Sequence, residues 1–305
     1  MASPHSFTFT VMGGPAELML CAEEDLAKQC AALIEAEARR IEKKFSRYDA
    51  SSAVSILNSQ AQKSKVEVDS EVAALLNYAA VCYEQSDGLF DITCGVLRRV
   101  WDFKAKRVPT QAEVKAVRSL IGWEQVEWNP PYVGFRKPGM EIDFGGLGKE
   151  YAVDRCVALA QQAGIPGGFV NFAGDVRVIG PRPDGQAWRI GLVHPRKTGA
   201  VFGSVEIREG AIATSGDYER FFEVDGKRYS HILNPKTGYP AEGFESVSVM
   251  GESCLLAGTA STITMLLGPQ RGREFLGELG LPYVLRLAGG QVEYFPHTVG
   301  LDRSE

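Results

Sequence analysis

The sequence predicts an α+β fold, a single domain over residues 1–305 in which mixed, largely antiparallel strands pack with helices. Three observations predict it. Apolar residues recur at helical spacing in several segments, the longest being Glu23 to Phe45. Strand-like runs come in neighbouring pairs joined by tight-turn dipeptides, Asp225-Gly226 and Gly289-Gly290, which favours antiparallel hairpins. No linker or low-complexity stretch divides the chain, and its GxG-like stretch, Gly145 to Gly148, lacks the spacing of a dinucleotide-binding fold.

Taken in order, Phe7 to Leu20 reads as the first strands. Glu23 to Phe45 follows as a helix, with Leu26, Cys30, Leu33, Ile34, Ile41 and Phe45 as its apolar stripe. Ser70 to Gln85 is a second helix closed near Gly88, and Thr110 with Glu113 is a capping box opening a third, buried through Val114, Val117 and Ile121. Gln125–Trp128 and Tyr132–Arg136 form an antiparallel pair. A fourth helix, Lys149 to Ala163, is stopped by Gly164 and Pro166. Tyr218–Val224 and Lys227–Leu233 form a hairpin, as do Val284–Leu287 and Val292–Phe295.

Composition bounds the function. With 45% hydrophobic and 23% charged residues the chain is of the soluble globular class, and no stretch approaches the ~18 apolar residues of a membrane span. A net charge of −5 argues against nucleic-acid binding, which needs a basic face. The basic residues at Arg98, Arg99, Lys104, Lys106 and Arg107 read as a solvated loop. Six cysteines without CxxC or metal-finger spacing read as reduced core residues. The N-terminal MASPHSFTFTV has neither a basic nor an apolar leader region, and Leu20 before Cys21 does not suit a lipoprotein cleavage site, so a cytoplasmic location is expected.

Two segments carry chemistry. His231 ends the second strand of the Asp225-Gly226 hairpin, and the turn Asn-Pro-Lys-Thr-Gly after it holds it at a rim, where an imidazole can take or give a proton. A half-buried His bonded to a backbone carbonyl would give the same pattern. Asp143-Phe-Gly-Gly-Leu-Gly-Lys149 joins a strand to a helix, and on glycine content alone it is equally a tight turn or a phosphate cradle at a helix N-terminus.

The blocks TSGDYERFF and YSHILNPKTGYP resemble the most diagnostic region of the ApbE-type FAD:protein FMN transferases. VMGGPAELML, FSRYDASSAVSILN, SDGLFDITCGVL, IDFGGLGKEYAVDRC, GGFVNFAGDVRVIG and SVSVMGESCLLAGTASTITMLLG resemble other blocks of that family in the same order, over about residues 8–296. The resemblance implies transfer of FMN from FAD to a Ser or Thr hydroxyl of an acceptor protein with a Ser/Thr-Gly-Ala-Thr type motif, releasing AMP. It implies FAD contacts at Met12, Tyr48, Leu89, Phe90, Asp91, Asp143, Lys149 and His231, with His231 as the catalytic base. For Phe90, burial in the core explains the residue equally well. The resemblance further implies a magnesium ion held by the Gly146 carbonyl and Thr262.

In one respect the chain departs from the family. An acidic magnesium ligand four residues before Thr262 is replaced by Gly258, and Glu150 stands where a Gly is usual. Glu150 is therefore a candidate substitute ligand, with Glu252 behind it. Taken alone, the sequence predicts that an Asp introduced at 258 would tighten the metal site. An FAD pyrophosphatase and a flavin-binding paralogue without catalysis remain the alternative readings.

Overall fold

Alternation of exposed polar and inward apolar residues makes the first two strands a hairpin, β1 (Ser3–Val11) and β2 (Gly14–Ala22). The computed structural model describes residues 3–296. Helix α1 (Glu24–Phe45) follows, then α2 (Ala53–Gln60), β3 (Val66–Glu67) and α3 (Ser70–Gln85). A 3-10 stretch at Ile92–Arg99 leads to α4 (Gln111–Arg118), whose N-terminus carries the predicted capping box in both directions. Next come β4 (Val126–Asn129), β5 (Tyr132–Phe135) and α5 (Gly148–Gln162), and then β6 (Gly167–Phe172), β7 (Asp175–Gly180), β8 (Trp188–Val193), β9 (Val201–Ile207) and β10 (Ala211–Gly216). The chain continues through β11 (Phe221–Val224), β12 (Lys227–Ser230), β13 (Phe244–Gly251), α6 (Cys254–Leu279), β14 (Tyr283–Leu287) and β15 (Val292–Phe295). Within α6 the helix breaks at Gly268, just before Pro269.

The central sheet has eight strands in the order β1-β2-β6-β7-β10-β13-β14-β15, every neighbour antiparallel. The fold class is therefore the one that the hairpin signals predict. Helices α1, α5 and α6 lie side by side against the sheet, and the core they share with it draws residues from Val11 to Leu285. Period two on β7 then divides its side chains: Val176 and Val178 face a second apolar cluster under the β8–β9 hairpin, while Arg177 and Asp175 reach groups of α5.

One expectation for α1 is corrected. Leu26 and Leu33 are exposed, at 36% and 56%, and the buried line runs instead through Ala27, Cys30, Ala31, Ile34, Ala38, Ile41 and Phe45. The alanines let α1 approach α5 closely, so the buried stripe is rotated toward small residues.

The hairpin of β11 and β12 is held by an aromatic cluster: Trp101, Phe103, Phe222 and Tyr229 meet stacked, tilted or edge-on, with centroids 5.3–6.3 Å apart. Trp101 donates its indole N–H to the Gly238 carbonyl at 2.8 Å, which ties the turn after His231 to the same cluster. Asp225 and Gly226 both have positive φ, 51° and 74°, the conformation of a type I′ turn. Tyr218 to Arg220, expected as strand, form a turn before β11. All six cysteines are free, and among the described residues no helix is long and apolar enough to cross a membrane.

A Cβ at Gly226 would meet nothing within 4 Å, so any penalty there comes from backbone conformation alone. Gly226→Val is expected to lower the unfolding free energy in urea by about 1–2 kcal/mol. An unchanged midpoint would show that the turn tolerates a β-branched residue.

Candidate functional site

Asp143 is set at the mouth of the site by main-chain and side-chain bonds together. Its N–H donates to the Ile92 carbonyl at 2.8 Å, and its Oδ1 accepts the Gly145 N–H at 2.9 Å. Its Oδ2 pairs with the Arg47 guanidinium. Arg47 in turn lies 5.1 Å from the centroid of the Tyr48 ring and donates to its hydroxyl at 3.0 Å. Tyr48 is 80% exposed, so a flat aromatic face backed by an arginine stands open beside Asp143.

Helix α5 begins five residues later, and its first turn carries Lys149 and Glu150. Lys149 Nζ lies 2.9 Å from Asp175 Oδ2. Burial works against its charge, but Asp175, Glu150 and Glu219 outweigh that and raise its pKa. Glu150 is buried at 8% exposure and its Oε2 has no hydrogen-bond partner. Burial, then the Asp175 charge, raises its pKa; Lys149 opposes both. Its side chain lies against α6 at Gly258, where a Cβ would stand 2.5 Å from Glu150 Cγ and 3.2 Å from Oε1. An Asp at 258 thus has no room while Glu150 points there, which corrects the expectation that this substitution would simply add a ligand.

One turn further along α6, Thr262 shares a hydrogen bond with Ser215 at 2.9 Å, and Ser215 meets Ser261 at 2.8 Å. Gly146 is exposed at the α5 entrance, with the Phe90 ring 3.5 Å from where its Cβ would be. Among the described residues no three His, Cys, Asp or Glu side chains are grouped as a metal cage. The donor set is instead one unpartnered buried carboxylate, a hydroxyl and a main-chain carbonyl. These are hard oxygen donors and fit a magnesium ion that takes its remaining ligands from phosphate and water.

His231 follows β12 directly, and its N–H donates to the Arg220 carbonyl at 2.9 Å. Its Nδ1 is buried without a partner. Burial, followed by the charges of Arg220, Lys149 and Arg47, pushes its pKa down to about 4. Burial and the three cations thus both favour the neutral imidazole. The β1–β2 turn completes the wall: Met12, at φ 53°, donates its N–H to Glu42 at 2.6 Å, and Gly13 lies beside Arg220.

Of the residues expected from the sequence, Asp143, Lys149, Glu150 and His231 are linked through shared charges, with Tyr48 and Met12 at the border. Leu89 and Phe90 are buried, Phe90 within the main core, and Asp91 turns inward. The Asp91 carboxylate accepts from Thr93 N–H and Oγ1 at 2.8 and 2.6 Å and from Trp123 N–H at 3.2 Å. It also lines a cavity of about 600 Å³ with Tyr83, Glu124 and Lys236, which His231, Lys149 and Asp143 do not line. Glu252 is exposed in the turn before α6. Sequence reasoning missed Arg47, Asp175 and Arg220. Arg47 sits next to Tyr48 and Arg220 lies within the block TSGDYERFF, and a cation in such a position was the available signal.

The sequence profile of the ApbE family matches residues 11–285. The chain belongs to the ApbE family. An FAD:protein FMN transferase of Klebsiella pneumoniae (strain 342) is 32% identical to this ApbE chain over 275 residues, 88% of this chain and 84% of the relative. The ApbE protein of Thermotoga maritima superposes with a TM-score of 0.91 at 33% identity, covering 99% of this chain and 100% of that one. The flavin transferase ApbE of Vibrio cholerae gives 0.87 at 25% identity, covering 98% of each.

Lys149 is the cation shared by two buried carboxylates of the ApbE chain. Lys149→Met is expected to cost roughly 3 kcal/mol of stability in urea unfolding, because a buried charge loses its partner. Asp175→Asn in the same background should recover part of that loss; a further loss instead would show that Lys149 and Asp175 act independently.

Proposed function

We propose that the chain transfers FMN from FAD to a Ser or Thr hydroxyl of an acceptor protein and releases AMP. The observation that carries the reading is the buried, unpartnered Nδ1 of His231, in the field of Arg220, Lys149 and Arg47, together with the exposed Tyr48 face that Arg47 backs. A dinucleotide offers the matching pieces, a flat ring and a pyrophosphate.

In this reading the pyrophosphate lies among the three cations, which stabilise charge as it shifts from the phosphorus to the departing AMP. Asp143 holds Arg47 by its ion pair, and Asp175 holds Lys149, so both cations are fixed before the substrate arrives. The acceptor hydroxyl oxygen forms a bond to the FMN phosphorus, the bond from that phosphorus to the AMP oxygen breaks, and the hydroxyl proton passes to the His231 imidazole. A magnesium ion held by Glu150, Thr262 and the Gly146 carbonyl would neutralise pyrophosphate charge. The reading of a flavin binder without catalysis rested on the missing carboxylate at 258, and Glu150 supplies one in that space. Six free thiols suit a reducing compartment such as the cytoplasm.

His231→Ala should slow acceptor labelling, followed by mass spectrometry, by about 10²-fold or more while FAD still binds. Normal labelling by that variant would place the base elsewhere. FAD should also bind more tightly than FMN in titrations, since FMN lacks the AMP half; equal affinities would sink the substrate assignment.

The pH profile tests the charge arrangement. An imidazole with a pKa near 4 is the neutral, proton-accepting form at every pH above that, so the acidic limb of kcat/KM should fall near pH 4. Arg220→Gln removes a neighbouring positive charge, which favours protonated His231 and moves the limb to higher pH. A limb that stays in place would exclude His231 as the group responsible.

A further inference from the structure

Helix α5 presents two acidic residues, four apart on one face, to the start of α6. Asp154 is fully engaged, accepting the N–H groups of Cys254 and Leu255 at 2.9 Å each and pairing with Arg177 at 2.7 Å. Glu150 is more than nine-tenths buried, yet its Oε2 meets no donor. Its neighbours make the puzzle sharper: Asp175 and Glu219 add negative charge, and against them stand Lys149 and the Glu150 backbone N–H. Carboxylates in such surroundings are kept where a cation completes the balance. Thr262, one turn from Gly258 on the same side of α6, supplies a hydroxyl facing Ser215.

We propose that Glu150 is the side-chain carboxylate through which this chain holds a divalent cation, and that positions 150 and 258 share the space of one side chain. The contact at Gly258 carries the second part: a Cβ there falls 2.5 Å from the middle of the Glu150 side chain, so an acidic group enters from α5 or from α6 but not from both. The proposal rests on the transfer reading only in that FAD phosphates complete the coordination.

Binding of manganese, the probe, is read from the free-ion signal in electron paramagnetic resonance, using the full chain saturated with FAD and no acceptor. Glu150→Gln should weaken manganese binding by about tenfold or more. Gly258→Asp alone should lower the melting temperature, and E150G combined with G258D should regain both stability and manganese affinity. Wild-type manganese affinity in E150Q overturns the proposal. If E150Q does not fold, the combined variant decides: folded without manganese affinity, it overturns the proposal. None of these readouts involves labelling, so a chain that binds manganese through Glu150 but never labels an acceptor would sink the transfer reading alone.

Discussion

The site depends on the contact between the first half of α5 and the first half of α6. Asp154 satisfies two of the N–H groups that a helix leaves open at its N-terminus, a role normally taken by a residue just before the helix. Ser253 bonds the Leu256 N–H at 3.2 Å, so local and remote caps act together. Because Asp154 meets residue 254 and Glu150 meets residue 258, the two helices run in opposite directions past each other. That fixes Thr262 beside the entrance of α5, and with it Gly146, Lys149 and the start of β7.

Electrostatics within this frame is asymmetric. On the Asp143 side three cations, Arg47, Arg220 and Lys149, act on His231, although Arg47 and Lys149 each also pair with a carboxylate. On the Glu150 side the carboxylates outnumber their partner, because Lys149 serves Asp175, Glu150 and Glu219. A substrate carrying two phosphates answers the first imbalance and a divalent cation the second, so each makes the other easier to bind. The low pKa of His231 follows first from burial and then from these positive groups, both of which oppose charging of the ring.

Much of this was legible in the chain and some was not, for physical reasons. Asp225-Gly226, the Thr110–Glu113 box and the helical periods are local signals, and their elements form, although the hairpin strands are shorter than expected, beginning at Phe221 and ending at Ser230 just before His231. The width and direction of the α1 stripe depend on what packs against it, and so Leu26 and Leu33 read as buried although Ala27 and Ala31 take that place. Leu89 and Phe90 show the opposite side of the same difficulty, since an aromatic next to a turn is equally a ligand platform or a core residue. Asp175 could not be singled out because its partner Lys149 comes from another element. Gly258 and Glu150 are far apart in sequence, and no local pattern reports that one lacks a side chain where the other needs room.

That last pair shows why a single position is a poor unit for judging whether a site is intact. A glycine at 258 reads as a lost ligand if only α6 is considered, because a carboxylate cannot be replaced by a hydrogen atom. With α5 packed against it, the glycine is a condition for the longer Glu150 side chain to occupy the same volume. A carboxylate still lies at this place, carried by α5 and not by α6. The extra methylene of Glu relative to Asp spans the interhelical gap from the other side, while the Asp154 cap keeps the helices in register. In this chain the packing leaves room for one acidic side chain between the two helices, and α5 supplies it.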